Sequence, residues 1–245
     1  MVTPATVNIS GTSALTYAEG LTATTAVDAS GMSGTLTSTW APAAAYSYTG
    51  GSGTDTLTMN AGAAIVETID LGAGNDTVTF AANLADTDVI SGGDGTDTIA
   101  GVSATLAGLT TLVAASNNIT NFETVRTTDA LDRALVIASD VQSTGITSFT
   151  SPGANANDNA AVTMAAGDMT VNLSASLAGA LAVTDTGTAT TDSLTINNTA
   201  TAADDMGDAE AITITGYETL NIVANSVGGA TSQDFGLITM AVDTG

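Results

Sequence analysis

The chain contains no cysteine, no histidine and no lysine, and its basic side chains are Arg126 and Arg133 alone. Without cysteine there is no disulfide scaffold and no thiol nucleophile. Without histidine the H-E-x-x-H zinc site of metalloproteases is excluded, and no serine has an imidazole to activate it. Without lysine there is no amine nucleophile. A formal charge of −23, from 25 acidic residues and two basic ones, excludes nucleic-acid binding, which needs cations to neutralise phosphates. It equally disfavours direct attraction to anionic lipid. A compact chain this acidic repels itself unless counterions bind. Aromatic residues make up 4% of the chain, too few for a bulky two-layer core. No apolar run approaches the roughly 20 residues of a membrane span. Met1 to Ser10 has neither a basic nor an apolar stretch, so no secretory signal is expected there and export would use another route.

Threonine and alanine dominate what is present. Small side chains with many β-branched threonines suit short, closely stacked strands with thin cores. Three glycine-aspartate segments follow one another: Gly50–Thr58 (GGSGTDTLT), Leu71–Thr79 (LGAGNDTVT) and Gly92–Ala100 (GGDGTDTIA). Asp55, Asp76 and Asp97 recur every 21 residues, and a fixed period of this size predicts stacked coils with the aspartates one above another. Each period holds two predicted strands. One begins after the aspartate (Thr56–Thr58, Thr77–Phe80, Thr98–Ile99); the other lies near Ile65–Ile69 and Asp86–Ile90. In that register Glu67 aligns with Asp88 as a second acidic column. Leu57, Val78 and Ile99 align as inward residues, as do Ile69 and Ile90. Stacked carboxylates need a cation between them, and calcium takes six to eight hard oxygens of this kind. The expected ligands are Asp55, Asp76 and Asp97, with Glu67 and Asp88 beside them, Asn75 and Asp94 through side chain or carbonyl, and the turn carbonyls of Gly51, Gly53, Gly72, Gly74, Gly93 and Gly95.

The flanks carry weaker patterns. Residues 1–45 read as an N-terminal β segment, with Trp40, Tyr46 and Tyr48 expected to cap the open end of the coils at 46–103. Residues 104–245 read as a second β-rich region, solenoid or sandwich-like. In it Asn121-Phe122-Glu123-Thr124-Val125 recurs as Gly216-Tyr217-Glu218-Thr219-Leu220. Asp97 precedes Glu123 and Asp192 precedes Glu218 by 26 residues each, so a unit of 95 residues occurs twice. Ala104 to Ala115 fits a helical turn or a strand pair equally. Asp204, Asp205, Asp208 and Glu210 form an acidic loop, a further cation candidate, and the Thr-x-Thr pairs at 56/58 and 77/79 reflect strand propensity. Paired carboxylates could in principle hydrolyse a glycoside, but a sugar site wants aromatic or basic groups that are scarce here, so the chain reads as no enzyme.

Gly50–Thr58 and Gly92–Ala100 match the pattern G-G-x-G-x-D-x-U-x in full, and Leu71–Thr79 departs from it at Leu71 alone. These segments resemble the calcium-binding nonapeptide repeats of RTX proteins, whose fold is a parallel β-roll, although the coil here is longer. With its Ala/Thr/Gly richness and the downstream Phe-Glu-Thr strand, the whole chain resembles the RTX-related S-layer and surface proteins of Gram-negative bacteria. The resemblance implies type I secretion, calcium as the bound ion, a cell-surface location, assembly with copies of itself into a lattice, and cell-surface polysaccharide as a further partner. Two alternatives share the same calcium stack: an extender segment of a large RTX adhesin, and a filament or phage structural protein.

Overall fold

The computed structural model of the chain describes residues 5–18, 24–42, 44–60, 65–82, 84, 87–108, 118–136, 145–152, 160–164, 167–175, 177–199, 211–225 and 236–241. It is an all-β fold of parallel coils in two compact units. Residues 1–125 with 141–146 form the first, and 126–140 with 147–245 the second.

In the first unit each coil contributes one strand to each of two sheets. The coils are β1 (Thr6–Gly11) with β2 (Leu15–Ala18), β3 (Ala26–Met32) with β4 (Leu36–Trp40), and β5 (Tyr46–Thr49) with β6 (Thr56–Met59). They continue as β7 (Glu67–Asp70), the short β8 (Ala73–Gly74) and β9 (Thr77–Phe80), then β10 (Val89–Ser91), β11 (Asp94–Gly95) and β12 (Thr98–Gly101). A short helix α1 (Ser103–Gly108), β13 (Ile119–Thr120) and β14 (Thr124–Thr127) follow, and β14 carries the chain into the second unit. One sheet runs β1-β3-β5-β7-β10-β13, another β2-β4-β6-β9-β12, and the glycine turns pair as β8-β11. Every pairing is parallel, as stacked coils require.

The register is the one the period predicts. Leu57 lies beside Val78, Val78 beside Ile99, and Ile69 beside Ile90. All five are almost fully buried. The threonines of β6 and β9 alternate with them at half-buried positions, so β-branched residues line the outer face while the apolar ones fill a thin core. Each buried Leu, Ile or Val contributes about 1.5–3 kcal/mol. The second strand of each period starts later than expected, at Glu67 and Val89, and Asp86 lies outside the described residues.

One expectation is corrected and one open reading is resolved. Trp40, Tyr46 and Tyr48 do not cap an open end: β4 lies between β2 and β6, and β5 between β3 and β7, so coils cover these rings on both sides. Their exposures are 1%, 4% and 1%, and Tyr17 and Tyr46 stack on Trp40 with centroids 5.2 and 5.8 Å away. The described residues before 46 are therefore coils of the same stack. The ambiguous stretch from Ala104 resolves to helix as far as Gly108, with Leu106 buried against Gly101; 109–117 lie outside the described residues.

The second unit is also a solenoid of parallel strands. Its elements are β15 (Ala134–Val136), β16 (Ser148–Ser151), β17 (Ala160–Met164), β18 (Met169–Leu173), β19 (Leu181–Asp185), β20 (Ser193–Asn198), β21 (Ala211–Thr215), β22 (Thr219–Ala224) and β23 (Leu237–Ala241). One sheet runs β16-β18-β20-β22 and the other β15-β17-β19-β21-β23. Phe149, Val171 and Ile196 form one buried column, and Leu135, Val162, Val183 and Ile214 the other. Among the described residues the columns reach Ile222 on β22 and Met240 on β23, and on these strands Ile222 and Leu237 are 45% and 67% exposed. No helix among the described residues is long and apolar enough to cross a membrane.

Candidate functional site: the carboxylate columns

The three turn aspartates are stacked and buried, with exposures of 1%, 1% and 0% for Asp55, Asp76 and Asp97. Each carboxylate accepts a hydrogen bond from the backbone one coil earlier. The Leu36 amide donates to Asp55 Oδ1 (2.8 Å), the Asp55 amide to Asp76 Oδ1 (2.7 Å), and the Asp76 amide to Asp97 Oδ1 (2.7 Å). Glu123 ends the ladder, accepting from the Asp97 amide through Oε2 (2.7 Å). Asp55 also receives the Gly51 amide on Oδ2 (3.4 Å). One coil later the Gly72 amide turns to Asp70 instead, at 3.2 Å. Asp76 Oδ2 and Asp97 Oδ2 are buried with no hydrogen-bond donor.

A carboxylate held this way is poorly solvated. Burial pushes Asp76 up to about 7; the Asp55 amide opposes this, and the charges of Asp55 and Asp97 add to it. Burial pushes Asp97 up to about 6, against the Asp76 amide and with the charges of Glu123 and Asp94. Asp55, with an amide on each oxygen, is raised by burial as well.

The second column is equally buried. Glu67 and Asp88 are 0% and 1% exposed, and the Glu67 amide donates to Asp88 Oδ1 (3.0 Å). Neither Glu67 oxygen meets a hydrogen-bond donor. Burial, with the neighbouring Asp88 carboxyl next in weight, pushes Glu67 well above the ordinary carboxylate range. An ionised Glu67 facing an ionised Asp88 is untenable without a proton or a cation between them.

The stacking of the glycine turns has a steric basis. A Cβ on Gly72 would lie 2.2 Å from the Gly51 carbonyl oxygen, one on Gly93 1.8 Å from that of Gly72, and one on Gly95 1.6 Å from that of Gly74. The Gly51 and Gly72 carbonyls also accept the Ala73 and Asp94 amides, at 2.8 and 2.9 Å. Gly51, Gly53, Gly72, Gly74, Gly93 and Gly95 thus let the turns lie against each other, a role that needs no bound ion. Leu71, where the motif has glycine, is fully buried. Asn75 is exposed and its Oδ1 accepts the Thr96 amide (3.0 Å); Asp94 is exposed beside it.

The second unit repeats the end of the ladder. The Asp192 amide donates to Glu218 Oε2 (2.8 Å), and the Glu218 and Thr219 amides donate to the Asp192 carbonyl (3.0 and 3.2 Å). The 26-residue recurrence pointed to this pair. Sequence reasoning missed its neighbours Asp185 and Asp168, because neither stands in a motif. Asp168 Oδ1 accepts both the amide and the hydroxyl of Ser193, at 2.8 Å each. The acidic loop at 204–210 lies outside the described residues.

As donors for calcium, these residues fit in kind. They offer hard, buried oxygens without proton donors at Glu67, Asp76 and Asp97. No three acidic side chains among the described residues converge as a ready metal cluster, so backbone carbonyls and water would have to complete a shell. Arg133 pairs at the surface with its own neighbour Asp132, at 2.7 Å. No protein-family model, characterised protein or solved structure matches this chain.

Proposed function

We propose that this chain is a structural, calcium-dependent surface protein of the S-layer kind, which assembles with copies of itself outside the cell. The observation that carries the reading is the buried carboxylate columns, with unpartnered oxygens at Glu67, Asp76 and Asp97, in a chain with two basic side chains. Neutralising them requires protons or a cation from outside. Calcium suits oxygen-only donors, and the outside of the cell supplies it in abundance. Asp76, Asp97 and the Glu67–Asp88 pair would hold it. Calcium binding would then be linked to folding, leaving the chain weakly ordered where the ion is scarce.

Self-association is supported by the sheet edges. Among the described residues β22 and β23 are the last strands of their sheets, expose Ile222, Val223 and Leu237, and bear no charge in a chain that is otherwise strongly acidic.

Circular dichroism and thermal melting of the chain with calcium and with a chelator test the folding half. An unchanged β signal and melting temperature after calcium removal would defeat it. Electron microscopy with calcium tests assembly; monodisperse single chains at high concentration would count against the lattice.

A further inference from the structure

One sheet face of the first unit carries a net of threonines that neither the core nor the carboxylate columns use. β2, β4, β6, β9 and β12 pair in parallel without a register slip. Thr16, Thr37, Thr56, Thr77 and Thr98 therefore stand in one file across the five strands. Thr39, Thr58 and Thr79 form a second file two residues further along, with Ala18 and Ala100 at its ends. Side chains alternate along each strand, so Ser38, Leu57, Val78 and Ile99 between them are buried, while the threonines are exposed or half-buried. Strand pairing spaces the threonines of a file by about 4.8 Å, and the strand rise spaces the files by about 6.7 Å.

Among the described residues no hydroxyl of either file meets a hydrogen-bond partner in the protein. The corresponding face of the second unit closes on itself instead. There Asn197 donates to Asn172 Oδ1 (3.0 Å), and Asn172 to Ser148 Oγ (3.1 Å) and Thr150 Oγ1 (3.4 Å). Strand propensity does not account for the net, because it would act equally on the other sheet of the same coils. On that sheet the file that holds Thr49 also holds Asp28, Asp70 and Ser91. The threonine face bears no charge, in a chain of formal charge −23.

These properties define the ligand. It must be uncharged, it must repeat in two dimensions at these spacings, and each repeat must offer an oxygen that both donates and accepts, as a hydroxyl does. Ice meets all three conditions. Threonine is stiff at χ1 and neighbours in a file restrict it further, so the face loses little freedom when it is covered. A flat sugar polymer would want a ring to stack on, and the face has none: Tyr17 stacks on the buried Trp40 on the inner side of these strands.

We propose that the outer face of β2, β4, β6, β9 and β12 is an ice-binding surface. Its threonine hydroxyls hold a layer of ordered water in register with a plane of the crystal, and their methyl groups fill the spaces between. The face adsorbs to ice and slows its growth. The inference does not rest on the calcium reading, since the carboxylate columns stand apart from these outward threonines.

The test uses the whole chain in calcium, with its fold checked by circular dichroism. Thermal hysteresis and inhibition of ice recrystallisation are measured, and the unaltered chain is expected to show both. Thr58→Tyr sets a ring in the middle of the net and should lose most of each effect with its β signal unchanged. Thr49→Tyr, at an exposed position of the other sheet, should keep them. If Thr58→Tyr does not fold, Thr37→Tyr, at an exposed position of the first file, takes its place. A folded, unaltered chain with neither effect would overturn the proposal, and so would equal losses in the variants of the two sheets. Sedimentation and pull-down on crystalline cellulose supply the remaining outcomes. A dimer that Thr58→Tyr breaks, or retention on cellulose that it abolishes, without any effect on ice, would assign the face to a second copy or to a polysaccharide and refute ice binding.

Discussion

Two ladders of side chains stand in this molecule, one in each unit, and they solve the same stacking problem with different chemistry. In the first unit Asp55, Asp76, Asp97 and Glu123 follow one another as carboxylates. In the second, Asn197 donates through Nδ2 to Asn172 Oδ1, and Asn225 donates to Asn197 Oδ1, each at 3.0 Å. Asn172 continues the series by donating to Ser148 Oγ (3.1 Å). A carboxamide both donates and accepts, so each rung satisfies the next and no charge accumulates. A carboxylate only accepts. It must borrow donors from the backbone, at Asp76 and Asp97 its second oxygen is left idle, and each rung adds a charge to the last. An amide ladder is therefore complete as it stands, and a carboxylate ladder is complete only with protons or cations.

The glycine turns offer the hardest break in this comparison. Gly93→Ala would set a methyl against the Gly72 carbonyl oxygen at φ +95°; Gly167→Ala, at φ +100°, meets nothing within 4 Å. The first should cost about 3 kcal/mol or more, the second about 1–2 kcal/mol of backbone strain. Denaturant unfolding followed by circular dichroism reads both, and equal costs would refute turn stacking as the reason for Gly93.

Next in size is pH. Asp76 and Asp97 are raised to about 7 and about 6 in the folded chain, from an unfolded value of about 4. A raised carboxyl pKa means that the folded chain holds its proton more tightly. The stability contribution is therefore present below about pH 4 and lost as pH rises through about 6–7. In a chelator the melting temperature should fall over that window, and calcium should flatten the fall. A cation-free chain that becomes more stable between pH 4 and 7 would contradict the burial of these groups.

Asp76→Asn turns one carboxylate rung into an amide. It keeps the oxygen that accepts the Asp55 amide and removes a buried charge. Without calcium at pH 8 it should stabilise by about 1 kcal/mol, and with calcium it should destabilise. The change of sign between paired melts is the result to look for. The smallest effect belongs to the other ladder: Asn197→Ala should cost about 1 kcal/mol, and the cost should not respond to chelator or pH.

Much of the first unit was legible because its period is fixed. Asp55, Asp76 and Asp97 gave the coil length, and Leu57, Val78 and Ile99 confirmed it from the apolar side. The pairing of Asp97 with Glu123 and of Asp192 with Glu218 was legible as a recurrence, though not as hydrogen bonds. The coils before residue 46 were not, because they lack the glycine motif. Trp40, Tyr46 and Tyr48 read as a cap because an aromatic cluster suits an end as well as a core, and only the strands on either side distinguish the two. The asparagine ladder escaped notice because its rungs are 25 and 28 residues apart, so no period announces it. Asp185 escaped because it stands in no motif and its own strand carries no signal.

The carboxylate ladder also has a direction. The Asp55 amide finds its acceptor in Asp76, and the Asp76 amide in Asp97, always in the coil that follows. A chain leaving a secretion channel or a ribosome amino end first would carry, at its newest coil, an amide still waiting for a residue 21 positions behind it. The two central closures each span 21 residues of chain and so carry the same entropic cost. Order would then advance like a zip, one tooth per coil, at a pace set by delivery of the chain rather than by a search for distant contacts.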